Sequence, residues 1–420
     1  MKTIQLIDVA KLRPGIYVEL PLSWSQHPFF FSRFKIKTWG EVEQIRALGL
    51  DRVPYDQIKS DPKSDATGDE PIGADDAAAI DANKAKFWDE KQSRIDQADQ
   101  FRRARKDTAQ RYNETKKRIH NLMSDLTTAP ANAVRGSEEL IGDLMAQFDD
   151  ESSMLINVVN MSPASFNTNN HALNVTVLSL LLGHSMGLSK TDLLALGMGA
   201  LLHDIGKVAV PARIANYHKN MTNPELELYK SHVGQGIKLV HRINGIRPEV
   251  LEIIGHHHAF LDGSGFPAKV PAEKVSQLAR IVAIANLYDN YCNPHALPDA
   301  MTPKEAMAHI YAQGGEQLDD SLAQNFIRTF GIYPPGTVVL LRDKSVGLVV
   351  MVSSKALLRP RIVLYNPDIP ANKAMIIDLA EHPDLQIVRA LRPTEYPATV
   401  YSYLGLQERV GYYFESPGVK

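Results

Sequence analysis

The stretch from His203 to Pro267 carries two dense groups of polar residues within an apolar, helical sequence, and it constrains the fold more than any other part of the chain. The groups are His203-Asp204-Ile205-Gly206-Lys207 and His256-His257-His258, the latter followed by Asp262-Gly263-Ser264-Gly265-Phe266-Pro267. Imidazole nitrogens and carboxylate oxygens together are good ligands for Fe, Mn, Zn or Co. A fold that brings the two groups together would therefore hold metal ions.

Composition is that of a soluble protein with a substantial core. The chain has 420 residues, enough for two or three domains, and its formal net charge of -2 predicts no general attraction to nucleic acid or acidic lipid. Cys292 is the single cysteine, which excludes an internal disulfide and fits a reducing compartment. The most apolar run, residues 173–188, is too short and too polar to span a membrane, and the N-terminus lacks a signal-peptide pattern. We therefore expect a cytoplasmic protein.

The pattern of apolar residues divides the chain into five segments. Residues 1–58 alternate short apolar runs with turn signals and predict a small α+β domain, whereas the polar, Pro- and Gly-containing residues 59–83 predict a flexible linker. A long charged helix is predicted over 84–130, a helical domain over 135–330 and a β-rich extension over 331–420. The predicted fold class is mainly α, with a small α+β N-terminal domain and a β-rich C-terminal appendage.

Apolar and neutral residues recur along the charged helix at steps of three and four, which is typical of a narrow coiled-coil stripe. This seam consists of Ala98, Phe101, Thr108, Tyr112, Thr115, Ile119, Leu122 and Leu126, and Arg105 interrupts it. Two interpretations are open. The seam packs on the next domain of the same chain, or it joins two copies into a homodimer through residues 84–126.

The number of candidate ligands strengthens the prediction of a metal site. A single histidine on an apolar helix is more often a core or surface residue than a metal ligand. Here Ser189 and Asp192 predict the start of a helix that ends at His203, while His171 lies upstream and His232 downstream in the same helical domain. Together they favour a metal site. The alternative for the glycine-rich loop is a tight turn, and for the lysine after the His-Asp pair it is a solvated charge at a helix end.

These residues resemble the HD-GYP domain, a branch of the HD metal-dependent phosphohydrolases. The resemblance covers Asn157 to Gln324 and rests on the two polar groups at their separation. Residues 1–58 resemble a small domain of unknown function that is often fused ahead of HD-GYP. The resemblance implies a helical bundle that carries two or three divalent metal ions, Fe or Mn, and that hydrolyses cyclic di-GMP to pGpG and GMP.

The resemblance also implies a role for each residue of the site. The implied metal ligands are His171, His203, Asp204, His232, His257, His258 and Asn286. The implied catalytic residues are Asp204, as a bridge between metals, and Lys207, which would contact the phosphate and protonate the leaving oxygen. The implied substrate-binding residues are Lys207, Gly263, Ser264, Gly265, Phe266, Pro267 and Arg280.

The sequence departs from the family pattern at functional positions. Asn286 replaces a metal-binding aspartate and offers a neutral, weaker oxygen ligand, and Phe266 replaces the signature tyrosine. Two functions therefore compete. One is a cyclic di-GMP phosphodiesterase, and the other is a degenerate HD-GYP module that binds the nucleotide or a partner, such as a diguanylate cyclase, without efficient hydrolysis. Hydrolysis of another phosphorylated nucleotide is a third interpretation.

Overall fold

The computed structural model describes residues 5–29, 31–61, 76–148, 156–161, 168–216, 220–296, 299–352, 356–392, 395–406 and 409–414. The chain forms two compact units, the first made of residues 1–100 and 366–376 and the second of residues 101–365 and 377–420. Among the described residues, we find no helix with the length and apolar character needed to cross a membrane.

The N-terminal residues form an antiparallel four-stranded sheet covered by one helix. The strands are β1 (Gln5–Asp8), β2 (Tyr17–Glu19), β3 (Arg33–Lys35) and β4 (Arg52–Asp56), in the order β1-β4-β2-β3, and the helix is α1 (Trp39–Arg46). Thr38 and Glu41 form a capping box that begins α1. Val18, Val42 and Val53 are fully buried between the sheet and α1. The prediction of a small α+β domain is confirmed.

The long helix α2 extends over Asp76–Thr128 and so begins earlier than the predicted residue 84. Its first turns are rich in alanine, the residue with the highest helix propensity, and the predicted linker is wrong over residues 76–83. Of that linker, residues 62–75 lie outside the described part of the chain.

The seam of α2 packs on its own chain. Thr108, Tyr112 and Ile119 are fully buried, and the last two belong, with Leu126, to the core of the second unit. The side chain of Phe101 lies outside the described residues. This supports the first interpretation of the seam, because its C-terminal half is occupied within one chain. A homodimer through residues 84–126 stays a prediction.

The helical domain consists of α3 (Pro130–Met145), α4 (Thr168–Ser185), α5 (Lys190–Leu202), α6 (Asn223–Val240), α7 (Pro248–His256), α8 (Gln277–Cys292), α9 (Pro303–Gln313) and α10 (Asp320–Phe330), with a short 3-10 helix over Ile205–Ala209. Helices α4 and α5 are buried on nearly every face, as expected for central helices of a bundle. Helices α4, α5, α7 and α8 pack on one another, and α6 packs on the 3-10 helix and on α7. This arrangement brings the ends of α5 and α7 close together.

Strands dominate the remaining described residues. A five-stranded sheet has the order β10-β6-β7-β8-β9, and a separate antiparallel pair joins β5 to β11. These strands are β5 (Ile156–Met161), β6 (Val338–Leu341), β7 (Val346–Met351), β8 (Arg361–Leu364), β9 (Ile376–Asp378), β10 (Ile387–Leu391) and β11 (Arg409–Phe414), with α11 (Ala398–Leu404) before the last. The predicted fold class, mainly α with a β-rich C-terminal region, is confirmed.

Candidate metal centre

The His-Asp pair lies at the junction of α5 and the 3-10 helix, and a glycine fixes its position against α6. A Cβ atom on Gly206 would lie 1.9 Å from the carbonyl oxygen of His232 and 2.4 Å from the backbone nitrogen of Gly236. Only glycine permits this close approach of two backbones. Because the contact adjoins His203 and Asp204 in sequence, it brings the pair beside His232 of α6.

Four buried histidines share a hydrogen-bond arrangement that fixes their protonation. The Nδ1 atoms of His203, His232 and His257 lie 2.7, 2.6 and 2.9 Å from the carbonyl oxygen of the residue three positions earlier. The Nδ1 atom of His171 lies 2.6 Å from Oδ2 of Asp289. Since carbonyl and ionised carboxylate oxygens only accept hydrogen bonds, each Nδ1 carries the proton. In its neutral form, each ring therefore presents a lone pair on Nε2.

The Nε2 atoms lie close together in two pairs. The Nε2 atoms of His171 and His203 are 3.3 Å apart, and those of His232 and His257 are 3.4 Å apart. Burial lowers the pKa of both His232 and His257, so the second pair is neutral near physiological pH. Two nitrogen lone pairs at this separation repel each other unless a cation lies between them. The two histidine pairs thus fit two bound metal ions.

Asp204 lies between the two pairs and directs one oxygen toward each. Its Oδ2 is 3.4 Å from Nε2 of His203 and 3.6 Å from that of His171, and its Oδ1 is 3.4 Å from Nε2 of His232 and 3.8 Å from that of His257. Oδ1 is buried and accepts no hydrogen bond within the described part of the chain. With this geometry, Asp204 would offer one oxygen to each of two metal ions.

The potential ligands form two groups that share Asp204. The first site is His171, His203 and Asp204, and the second site is Asp204, His232, His257 and His258. Within each group, one ligand atom per residue lies within 4.8 Å of all the others. The structure therefore brings together six of the seven predicted ligands in these two groups.

Lys207 is part of the same centre. Burial opposes the charge on Asp204, but the ammonium of Lys207, 2.6 Å from Oδ2, and the nearby His203 outweigh it and hold the pKa of Asp204 well below its usual range. Burial likewise opposes the charge on Lys207, but the carboxylate outweighs it and raises the pKa of Lys207. Both groups are therefore ionised, and the ammonium of Lys207 lies beside the carboxylate that the two ligand groups share.

Helix α8 adds two residues to the first site. Oδ1 of Asn286 lies 3.0 Å from Nε2 of His171, and both residues are buried. Asp289, one helical turn later, accepts hydrogen bonds from His171 Nδ1, from Nδ2 of Asn174 at 2.8 Å and from Nδ2 of Asn293 at 2.9 Å. Asp289 is therefore placed to orient the ring of His171. The sequence carries one signal for this role, the spacing of one helical turn between Asn286 and Asp289.

Asp289→Asn is expected to weaken the first site alone. An asparagine accepts a weaker hydrogen bond from Nδ1 of His171, so the ring is held less firmly with its lone pair toward the site. Losing a partner of this kind costs about 10–100-fold in metal affinity. Calorimetric titration of Mn²⁺ into the metal-free protein should show one weakened step and one unchanged step. Equal weakening of both steps, or of neither, would contradict this role.

The glycine-rich loop is attached to the second site through His258. A Cβ atom on Gly265 would lie 2.1 Å from the carbonyl oxygen of His258, and the Phe266 amide donates a hydrogen bond of 2.9 Å to the same oxygen. The Phe266 ring stacks on the His258 imidazole at a centroid distance of 4.2 Å. Nε2 of His258 is buried and forms no hydrogen bond within the described residues, which suits a metal ligand. Phenylalanine thus retains a packing role where the family has tyrosine.

The other predicted substrate-binding residues occupy the loop or lie apart from the metal ligands. Gly263, Ser264, Gly265, Phe266 and Pro267 all belong to the segment between α7 and α8. The backbone and hydroxyl of Ser264 donate to Asp262 Oδ1 at 2.9 and 2.6 Å and close a turn. Arg280 donates to two backbone carbonyls at 2.8 Å and to Asp319 at 2.9 Å. The structure does not place Arg280 among the groups around Asp204, and substrate contacts by these residues stay predictions.

Three family models match the chain. Residues 153–322 match an HD domain, residues 4–136 match a domain of unknown function (DUF3391), and residues 338–399 match a KOW domain associated with HD domains. The HD match contains every ligand of both sites. The KOW match falls in the β-rich region, to which the sequence analysis assigned no chemistry.

Several curated proteins are similar to this chain. A Pseudomonas aeruginosa protein named as a cyclic di-GMP phosphodiesterase is 24% identical and covers 98% of this chain and 99% of its own length. A Xanthomonas campestris response regulator named for the same activity is 31% identical over 35% of this chain and 39% of its own length. A Vibrio cholerae protein named as a 3'3'-cGAMP-specific phosphodiesterase is 28% identical over 43% of this chain and 35% of its own length.

Proposed function

This chain belongs to the HD-GYP family of metal-dependent phosphohydrolases, and we propose on that premise that it hydrolyses cyclic di-GMP to pGpG and GMP. The proposal rests on the position of Asp204. Its two carboxylate oxygens face two separate pairs of histidine Nε2 atoms. A relative that is similar over nearly its whole length is named for the same activity. Ligands of nitrogen and oxygen, without thiolate, suit iron or manganese as the bound metals.

Each residue of the site would have a separate role in phosphodiester hydrolysis. Two divalent ions bound at the two sites would neutralise charge on the phosphate and activate water. Asp204 fixes the spacing of the two sites, and Asp289 keeps the lone pair of His171 directed inward. Lys207 holds a proton beside the centre and is the group placed to pass it to the leaving oxygen or to pair with the phosphate.

One observation favours a second function. Asn286 lies at the first site and offers a neutral amide where a carboxylate would bind a metal ion more strongly. A first site with low metal occupancy would leave a module that binds the nucleotide, or docks a diguanylate cyclase, without efficient hydrolysis. The enzyme and the binding module differ in turnover rather than in affinity for cyclic di-GMP.

The deciding experiment is turnover of cyclic di-GMP by the full chain, purified anaerobically and loaded with Fe²⁺ or Mn²⁺, with metal content measured on the same sample. We expect linear product together with about two ions per chain. Bound metal and bound nucleotide without product would assign the binding module. Product from 3'3'-cGAMP alone would assign the other cyclic dinucleotide as substrate. A protein with neither metal nor product would contradict both functions.

A further inference from the structure

We propose that Asn290 is a positioning residue that holds the carbonyl oxygen of Asn286 toward the first site, where that oxygen serves as a neutral ligand beside His171, His203 and Asp204. This inference rests on the proposed metal centre. Nδ2 of Asn290 donates a hydrogen bond of 2.7 Å to Oδ1 of Asn286. The same oxygen lies 3.0 Å from Nε2 of His171. It is therefore the atom of Asn286 at the edge of the site.

An amide needs such a partner, whereas a carboxylate does not. Both oxygens of an aspartate can bind a cation, but asparagine has one oxygen that binds and one nitrogen that cannot. A rotation of the Asn286 amide by about half a turn would exchange these two atoms. The nitrogen, which cannot bind a cation, would then lie beside Nε2 of His171. That rotation would remove the Asn286 ligand from the first site.

Asn290 opposes the rotation. It lies one helical turn after Asn286 on the same face of α8, and it can donate to the oxygen of Asn286. A carbonyl oxygen has two lone pairs, so it can accept this hydrogen bond and still bind a cation with the other. Asn286 is 2% exposed, and a buried amide finds few other donors. The hydrogen bond from Asn290 thus selects the orientation that binds metal.

Asn290→Asp tests the proposal because orientation and charge predict opposite results. The variant has nearly the same shape and adds a negative charge near the first site, so charge alone predicts tighter Mn²⁺ binding there. An ionised aspartate only accepts hydrogen bonds, so it pairs with the nitrogen of Asn286 and turns the oxygen away from the site. We expect the first-site affinity to fall at least about tenfold, as for other lost outer contacts of metal ligands. The second site, which contains none of these residues, should keep its affinity.

The measurement is a calorimetric titration of Mn²⁺ into the metal-free full chain, with elemental analysis of the ions retained. Asn290→Ala in the wild type and in an Asn286→Asp background forms the matched control. A carboxylate at 286 needs no orientation, so Asn290→Ala should weaken the first site only in the wild type. Tighter binding by Asn290→Asp, or equal effects of Asn290→Ala in both backgrounds, would overturn the proposal and leave the metal centre intact. If the wild type bound no metal, both the role of Asn290 and the proposed metal centre would be overturned.

Discussion

Asp204→Asn is expected to lower the hydrolysis of cyclic di-GMP by at least about a thousandfold, which corresponds to about 4 kcal/mol of activation free energy. Among the described residues, Asp204 is the one carboxylate in both ligand groups. The amide of asparagine has the same shape as the carboxylate, but its single oxygen cannot face both histidine pairs. The amide is also neutral, so it no longer balances the charge of Lys207. Both sites should therefore lose affinity, which separates this variant from Asp289→Asn and Asn290→Asp.

Metal content and rate should be measured on the same samples of the Asp204→Asn protein. We expect the content to fall from about two ions per chain to less than one. Asp107→Asn is the matched control, since Asp107 is exposed on α2 and belongs to neither ligand group. Thermal unfolding of both variants shows whether the fold persists. If Asp204→Asn retained both ions and a rate within about tenfold of the wild type, a difference of about 1.4 kcal/mol, Asp204 would not be the bridge.

Much of the helical domain could be predicted because its signals are local. Ser189 accepts a hydrogen bond from the backbone of Asp192, as the capping pattern predicted, and the helix that begins there ends at Leu202. The sequence also indicates where this helix ends, and it therefore predicts that His203 lies at the helix end. The resemblance added the ligand set, six members of which the structure brings together in two groups.

The division of those ligands into two sites could not be predicted. Which Nε2 atom faces which depends on how α4, α5, α6 and α7 pack, and packing is set by contacts far apart in sequence. The pairing of β5 with β11 has the same cause, since residues 156–161 and 409–414 share no local pattern. Arg280 illustrates a different limit. Its hydrogen bonds to Asp319 and to two backbone carbonyls depend on how neighbouring segments pack, so the sequence does not predict them, and its contact with substrate stays a prediction.

Gly206→Ala is expected to disassemble the centre although it removes no ligand. The added Cβ would lie 1.9 Å from the carbonyl oxygen of His232 and 2.4 Å from the nitrogen of Gly236, and these backbone atoms cannot rotate away as a side chain would. The 3-10 helix must move away from α6, and Asp204 must move away from His232. Overpacking of this kind costs about 1–3 kcal/mol or more of unfolding free energy. We also expect loss of hydrolysis by at least about a hundredfold, or about 3 kcal/mol in activation free energy.

Gly234→Ala provides the control on α6, the helix that Gly206 contacts, because a Cβ at Gly234 meets no atom within 4 Å. Alanine there should stabilise the protein by about 0.5–1 kcal/mol, the usual gain at an exposed helical glycine. Urea unfolding of the metal-free proteins measures the packing effect, and Mn²⁺ titration measures the effect on the second site. If Gly206→Ala unfolded at the wild-type urea concentration and bound Mn²⁺ normally, the backbone contact would not be what holds Asp204 beside His232. If the variant lost both stability toward urea and Mn²⁺ binding, close packing against α6 would explain why the chain has glycine at position 206. Metal chemistry alone does not explain it.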